Sequence, residues 1–351
     1  MADLSALYVL NVRERAEEIY AETIQDLAFN EGMTDSANAI LANQRAARAQ
    51  QLLKDSPTDN VDIVWETDDL GTVQDCTSDC DLTGTVAQGN AINISVPKCF
   101  ETTLSVSKES ARRMGRTVEE ETAFLLARRM ILMDNMVNSY SLARTLALAD
   151  AAVTGTLPVY ATQAGGIITI PAANWGLQMY ADLKLMGVKN RMGMPFVIDD
   201  GALFTYLENA RLNQGNDTGK GDAARATALA PYEDILGFTE AGITTADDFI
   251  IKRGALALFY KTFNPDAPEL IGGTVQQVRS TMASKAITAG GGISYDMFTS
   301  LGCSDIAGTK SHSDIGYTVK LKANIGVWKA PGVGTAAGRP GILAVKRAPA
   351  V

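Results

Sequence analysis

Histidine is nearly absent from this sequence, which contains one, His312, among 351 residues. Because histidine is the usual general base and metal ligand near neutral pH, its scarcity narrows the catalytic mechanisms open to the chain. Long apolar runs are also missing: Arg128 and Arg129 interrupt one of the longest, and without about 18 consecutive apolar residues we expect no membrane span. The segment Met1–Ser5 carries an acid and no basic stretch, so we expect no signal peptide, and cysteines kept in a reducing cytoplasm.

Positive charge is in the minority, since 31 Lys and Arg face 40 Asp and Glu, a net charge of −9. A net acidic chain lacks the cations that neutralise phosphates, which argues against tight, sequence-independent binding of nucleic acid. Hydrophobic residues make up 46% of the chain, which excludes a wholly disordered protein and allows a sizeable core. At roughly 150 residues per domain, the length predicts about two domains.

The first 56 residues have a helical pattern. Apolar residues recur near helical spacing over residues 4–29, which predicts an amphipathic helix. Residues 34–55 predict a second helical stretch, rich in Ala, Gln and Arg, with few large apolar side chains to bury. Two interpretations stay open for this arm: a solvated helical extension, or a segment that becomes ordered on a partner or on other copies of the chain.

Residues 57–107 change to β character. Strands are predicted at Val61–Trp65, Ala91–Val96 and Thr102–Val106, and the acidic, polar stretch Asp68–Asn90 separates the first two. An extended hairpin of this composition has too little apolar material for a core of its own. We therefore expect it to lie on the body of the chain or on a neighbouring copy.

Residues 117–150 predict one long helix. Thr117 and Glu120 have the spacing of a capping box, in which each side chain accepts a hydrogen bond from the other residue's backbone amide. At 1.5 Å per residue the helix would be about 50 Å long, which suits the spine of a thin, extended subunit. The apolar positions that follow one helical face are Leu125, Leu132, Met136, Tyr140, Ala143 and Ala147.

Residues 166–300 predict a mixed α/β region, and Ile315–Trp328 predicts a long, half-exposed strand because apolar and polar residues alternate along it. The apolar side of that strand is Tyr317, Val319, Leu321 and Ala323. Residues 329–351 predict a Gly/Pro-rich tail with one short strand, Ile342–Val345. Within the mixed region, strands are predicted at Ile167–Ile170 and Pro195–Ile198, and helices at Trp175–Met186 and from about Gly201 to Leu212.

Two glycine motifs and the histidine each resemble a chemical site whose requirements they do not meet. Gly332–Ala337 matches a dinucleotide-binding pattern, but too few residues follow it to form the helix, strand and acidic ligand that the motif requires. Gly215–Lys220 is one residue short of a phosphate loop and follows a predicted helix rather than a strand. His312 lies beside Ser311, Ser313 and Asp314, and adjacent loop residues seldom have the geometry of a hydrolytic triad.

Three cysteines, Cys76, Cys80 and Cys99, fall within the predicted hairpin. The simplest interpretation is free thiols in a loop. A disulfide between two of them would form if the protein later met oxidising surroundings. A zinc site would need a fourth ligand, Cys303 or His312, from a distant part of the chain or from another subunit.

The hairpin loop is acidic, and its spacing is not that of an EF-hand. One interpretation is a solvated loop. The other is that its acids pair with arginines on a neighbouring copy, which would favour register more than affinity. The acids are Asp68, Asp69, Asp75, Asp79 and Asp81, and the arginines are Arg112, Arg113 and Arg116.

This order of parts resembles the major capsid proteins of tailed double-stranded DNA bacteriophages, which have the Hong Kong 97-like fold. Phe196–Phe204 and Ile315–Pro331 are similar to segments of such proteins. The resemblance implies an α+β fold built from five parts. They are a helical N-terminal arm (1–56), an extended β-hairpin loop (57–107), a peripheral domain (108–160) with spine helix 117–150, an axial domain (161–310), and a late strand that returns to the peripheral domain with a C-terminal tail (311–351).

The function implied by the resemblance is structural, with no catalytic step and no cofactor. Many copies would form the hexamers and pentamers of an icosahedral shell, the virion capsid, assembled in the host bacterial cytoplasm. The implied partners are portal and scaffolding proteins, decoration proteins in some members, and packaged DNA that an acidic lining encloses without sequence-specific binding.

Two alternatives stay open. A cellular nanocompartment shell would share the fold and enclose an enzyme cargo instead of DNA. A soluble α/β enzyme using Asp or Lys chemistry would belong to a different class and would run as a small oligomer on gel filtration, whereas a shell would run as a megadalton species.

Overall fold

The computed structural model describes residues 2–31, 36–45, 47–65, 90–175, 177–205, 235–239, 242–265, 269–271, 276–303, 315–330 and 339–348. No helix in these ranges has the length and hydrophobicity of a transmembrane span. The helices are α1 (Ala2–Glu31), α2 (Ser36–Asn43), α3 (Ala47–Asp55), α4 (Lys108–Arg113), α5 (Val118–Ala147) and α6 (Leu177–Lys189). The strands are β1 (Asn60–Trp65), β2 (Asn90–Ser95), β3 (Lys98–Ser107), β4 (Thr162–Ala164), β5 (Ile167–Ile170), β6 (Phe196–Asp199), β7 (Ile235–Phe238), β8 (Asp248–Ile251), β9 (Leu256–Lys261), β10 (Glu269–Ile271), β11 (Gln276–Ala283), β12 (Ser294–Cys303), β13 (Ile315–Lys329) and β14 (Ile342–Arg347).

The first of two six-stranded sheets is built around β13. Its order is β10-β11-β12-β13-β3, with β9 paired to the far end of β13, and every pairing is antiparallel. Along β13 the side chains of Val319, Leu321 and Ala323 are buried, whereas Lys320 and Lys322 are partly exposed. The predicted long strand with one buried side is therefore confirmed.

The predicted long helix is confirmed as α5. The Thr117 hydroxyl accepts a hydrogen bond from the Glu120 amide at 3.2 Å, and the Glu120 carboxylate accepts one from the Thr117 amide at 3.0 Å. These two bonds satisfy amides that have no partner inside the helix, and so fix where it begins. α5 contacts β3 and β13 and so covers one face of the first sheet.

The apolar face that the sequence pattern identified on α5 reaches the core only in part: Leu125 and Tyr140 pack against it, partly buried. The apolar side chains of α5 that are almost completely buried are instead Ala123, Leu126, Ala127, Met130, Met133, Val137 and Leu142. Leu132 and Met136 are 43% and 41% exposed, and Ala143 and Ala147 are exposed as well. Because α5 is apolar on both sides, periodicity alone could not decide which side the sheet covers.

The N-terminal arm packs on its own chain, which differs from the expectation of a solvated or partner-ordered segment. α1 lies against α5, and its Ala16 and Tyr20 are fully buried. The stretch predicted as one helix over residues 34–55 forms α2 and α3, whose Ile40 and Leu53 are also buried. A few apolar residues suffice here because α5 and β9 supply the opposite surface.

The predicted hairpin consists of β1 and β2, which pair with each other in a separate two-stranded sheet. Its base packs on α3 and β9 through a cluster that includes Leu53, Ile94 and Phe259. The ammonium group of Lys261 donates to the backbone carbonyls of Ser56, at 2.6 Å, and Thr58. The strand predicted at Thr102–Val106 is part of β3 and belongs to the first sheet, so the hairpin is shorter than the expected span 57–107.

The second six-stranded sheet has the order β4-β5-β14-β8-β6-β7 and mixes parallel with antiparallel pairs. β14, predicted as a short strand in a C-terminal tail, lies near its centre, and its Ile342, Leu343, Ala344 and Val345 are fully buried. The part of the chain expected to be a C-terminal tail therefore supplies an inner strand of this sheet. With helices packed on mainly antiparallel sheets, the fold is α+β, as predicted.

The two sheets are joined at the end of α5. The Asp150 carboxylate accepts hydrogen bonds from the amides of Gly341, at 2.8 Å, and Ile342, at 3.2 Å, and pairs with the ammonium group of Lys329. This carboxylate links the end of β13 to the start of β14. The side chains of Lys329 and Asp150 are both mostly buried, so salt and solvent screen this ion pair less than they would screen a surface pair.

Candidate functional site

The outward side of α5 presents an apolar stripe, defined by Leu132, Met136, Ala143 and Ala147, whose members recur one or two helical turns apart. Leu132 and Met136 are more than 40% exposed, although both are large and apolar. Tyr140 extends the stripe and packs edge-on against Phe100, with ring centroids 5.8 Å apart. A contiguous apolar stripe on a helix that already fills one core is typical of a surface that binds another protein.

The predicted basic cluster lies at the end of α4 and in the turn before α5. Arg113 pairs with Glu109, and Arg116 pairs with Glu121 at 2.9 Å while its guanidinium lies 4.1 Å from the ring centroid of Phe124. Arg112 is exposed and makes no ion pair with the described residues. Two of the three arginines are thus occupied by carboxylates of their own chain.

The acids predicted to pair with those arginines lie outside the described residues, as do several other candidates. They are Asp68, Asp69, Asp75, Asp79, Asp81, Cys76, Cys80, His312 and both rejected glycine motifs. Cys99 is described: it is a free thiol, exposed on β3, opposite Asn324 of β13. The contact between copies and the state of the cysteine cluster therefore stay predictions.

A buried polar cluster joins the arm to the spine and to the first sheet, and sequence reasoning missed it. Asp134 of α5 accepts hydrogen bonds from the hydroxyls of Tyr20, of Ser284 at 2.8 Å and of Tyr295 at 2.7 Å. Burial, followed by the charge of Asp134, raises the pKa of both tyrosines, so both stay protonated donors. The four residues are far apart in sequence, and no local spacing could have revealed them.

The open face of the first sheet is polar and partly basic. Lys320 of β13 lies 2.7 Å from the carboxylate of Glu101 on β3, and Lys322 lies 3.9 Å from the same carboxylate. These lysines, with Thr103 and Phe298, line a shallow groove between the strands. All three members of the ion-pair group are substantially exposed, so solvent screens their charges.

A second buried acidic group lies in the second sheet. Oxygens of Asp199, Asp200 and Asp248 lie within 4.8 Å of one another, close enough to share a metal ion. No other group of three or more metal-binding side chains has this proximity in the described part of the chain.

No family model matches the chain, and no curated protein matches it. Solved structures do match along most of its length. A structure from Mycobacterium phage Che8 is 12% identical, with 89% of this chain and 91% of that one covered and a TM-score of 0.45. The capsid of cyanophage P-SCSP1u is 10% identical, with 84% of each chain covered and a TM-score of 0.42. The mature capsid of bacteriophage PhiM1 is 10% identical, with 83% of this chain and 82% of that one covered and a TM-score of 0.38. All three scores lie below 0.5, so these matches do not decide the function of this chain.

Proposed function

We propose that this chain is the major capsid protein of a tailed double-stranded DNA phage, with a Hong Kong 97-like fold. Its copies assemble as hexamers and pentamers into the icosahedral shell of the virion, and no catalytic step is involved. The proposal is supported by the chain's own geometry, since the described surfaces suit repeated contacts between copies.

The observation that carries the proposal is the two-sided spine helix. One side of α5 is sealed by the first sheet and α1, and the other side leaves Leu132 and Met136 in water. Exposing large apolar side chains has no benefit for a solitary subunit, whereas covering them with a second copy gains about 25 cal/mol for each Å² buried. Repeated over many copies, this contact would help to close a shell.

The hairpin adds a second argument. β1 and β2 are held to the body at their base, by Lys261 and by the cluster that contains Phe259, and they pair with no other described strand. An isolated two-stranded sheet is marginal in water, so it gains stability when it lies on another surface. We infer that this surface belongs to a neighbouring copy, where the acids of the hairpin loop meet Arg112.

The five-part division is proposed with changes that follow from the sheet in which each strand pairs. The arm (1–56) and the hairpin loop, now limited to 57–97, precede a peripheral domain made of β3, residues 108–160 and the strands β9 to β13, which share the first sheet. The axial domain takes the rest of residues 161–310 together with β14, because β14 lies between β5 and β8 of the second sheet. The last part of the chain then completes the axial domain.

The net charge of −9 fits a shell lining that DNA enters and leaves without adhering. The remaining partners are then portal and scaffolding proteins, with decoration proteins as an option, and assembly takes place in the host bacterial cytoplasm.

The experiment is sedimentation and electron microscopy of the purified full-length chain, alone and with a scaffolding partner. We expect megadalton shells, and we expect Met136→Asp to leave small oligomers because it places a charge in the stripe. Leu52→Asp is the matched control for folding, since Leu52 is also 41% exposed on a helix. Equal melting temperatures of the two variants would assign the assembly defect to the stripe.

Monomers or dimers under every condition would refute a shell. Shells formed equally well by Met136→Asp would leave the function standing but refute the role of the stripe. Particles from the native source that contain enzyme cargo and no DNA would support the nanocompartment alternative, and a small active oligomer would support the enzyme.

A further inference from the structure

Two buried aspartates face each other across neighbouring strands of the second sheet. β6 and β8 pair antiparallel in the register Phe196–Ile251, Val197–Ile250 and Ile198–Phe249, which places Asp199 opposite Asp248. Both side chains are completely buried. Like charges directly opposite each other on a sheet are destabilising, so this pair needs a compensating partner.

Backbone amides compensate only one of the two. The Asp199 carboxylate accepts hydrogen bonds from the amides of Gly201 at 3.0 Å, Leu203 at 3.3 Å and Phe204 at 2.8 Å. One oxygen of Asp248 accepts a long bond, 3.4 Å, from the Asp200 amide. Its other oxygen, Oδ2, is buried and receives no hydrogen bond from any described residue. An orphaned carboxylate oxygen in a protein interior is costly unless a cation or a proton reaches it.

The nearby guanidinium pairs with Asp200, the exposed member of this group of aspartates, and not with the two buried ones. Arg347, at the end of β14, pairs with Asp200, and its Nε lies 3.6 Å from the carboxylate of Asp247. No ion pair reaches Asp199 or Asp248 from the ranges that the structure covers. The carboxylates of Asp248 and Asp199 lie within hydrogen-bonding reach of each other, and burial, that contact and the charge of Asp199 raise the pKa of Asp248 well above its usual range, so the pair needs a shared cation or a shared proton.

We propose that Asp199, Asp200 and Asp248 bind one divalent cation of the calcium class, with the orphaned oxygen of Asp248 as a ligand. The three carboxylates offer only oxygen, which favours hard cations over zinc. Calcium fits better than magnesium because it accepts irregular oxygen geometry and gives up its water more readily. Asp200 is the most exposed of the three, its side chain 28% exposed, so the ion enters from its side, takes the place of the Arg347 guanidinium at that carboxylate and completes its coordination with water.

Terbium is a suitable probe, because it replaces calcium at oxygen sites and luminesces when a nearby tryptophan is excited. The guanidinium of Arg347 lies 4.6 Å from the ring centroid of Trp175, which places this tryptophan beside the cluster. We expect saturable, tryptophan-sensitised luminescence from the purified full-length chain, and we expect calcium to abolish it by competition. Calcium should also raise the melting temperature measured in EDTA, by an amount that grows with its concentration.

The variants locate the site. Asp248→Asn keeps the shape of the side chain and should weaken terbium binding at least about tenfold, since it removes one ligand charge. Asp200→Asn, on the exposed side, should do the same, and its melting temperature in EDTA measures the separate cost of losing the ion pair with Arg347. Asp55→Asn, at an exposed acid of α3, is the control and should bind terbium as the parent chain does. Trp175→Phe should lose the sensitised signal but keep the calcium-dependent rise in melting temperature.

Undiminished terbium binding by both Asp248→Asn and Asp200→Asn would overturn the proposal. So would a parent chain that ignores calcium while Asp248→Asn melts higher than the parent in EDTA, because the pair would then share a proton rather than bind a metal. These measurements use unassembled subunits, so a failure to form shells leaves the metal result unaffected.

Discussion

Asp134 beside the first sheet and Asp248 in the second sheet are both almost completely buried, yet their surroundings differ. The carboxylate of Asp134 accepts hydrogen bonds from three neutral hydroxyls. Asp248 is met by a second carboxylate, and one of its oxygens has no donor among the described residues. The hydrogen bonds around Asp134 are complete without a ligand, and they hold α1, α5 and the first sheet together. The arrangement around Asp248 is incomplete and requires a cation or a proton from outside.

The largest effect should come from breaking the complete arrangement. Asp134→Ala leaves three buried hydroxyls without their acceptor and separates α1 from the first sheet. We expect the free energy of unfolding to fall by about 3–5 kcal/mol, measured by urea denaturation. Tyr295→Phe, which removes one of the three hydroxyls, should cost about 1–2 kcal/mol. If Asp134→Ala lowered the free energy of unfolding by less than about 1 kcal/mol, the cluster would not be what holds these elements together.

The second prediction compares the cores of the two sheets. Leu343 of β14 and Leu321 of β13 are both buried, 0% and 1% exposed, one at the centre of each sheet. We expect Leu343→Ala and Leu321→Ala to cost a similar amount, about 3 kcal/mol each in urea denaturation, because each leaves a cavity in a packed core. The exposed Lys346 on the same strand is the control, and its substitution by Ala should change stability by less than about 0.5 kcal/mol.

If the end of the chain were a dispensable tail, Leu343→Ala would be nearly neutral while Leu321→Ala stayed costly. That outcome would show that β14, unlike β13, contributes little to the stability of the fold, as a tail at the end of the chain would.

Sequence patterns predicted the elements whose signals are local. The capping box at Thr117 located the start of α5, and strict alternation around Leu321 located β13 and its buried side. β12 was missed because Asp296 is buried and Phe298 lies on the open face, so its polarity does not alternate as a half-exposed strand should.

The positions that depend on contacts between distant residues could not be predicted. The short strand β14 was recognised from its residues, but its place between β5 and β8 depends on pairing with strands about 90 and 175 residues earlier. The core face of α5 was missed because both of its sides are apolar. Asp199 and Asp248 lie close together only because of the register between β6 and β8, so no local spacing in the sequence could predict their proximity.

The smallest effect should come from the exposed ion pairs of the first sheet. The hydrogen bond from Lys320, together with the charges of Lys320 and Lys322, lowers the pKa of Glu101. A carboxylate whose pKa is lower in the folded state stabilises the fold above its unfolded pKa, about 4.3, and loses that contribution as the pH falls. Its side chain is 53% exposed, so solvent and salt screen the pair. Glu101→Gln should therefore leave the urea midpoint at pH 7 within experimental error, and a clear loss of stability that high salt does not reduce would mean that this face is covered by another surface.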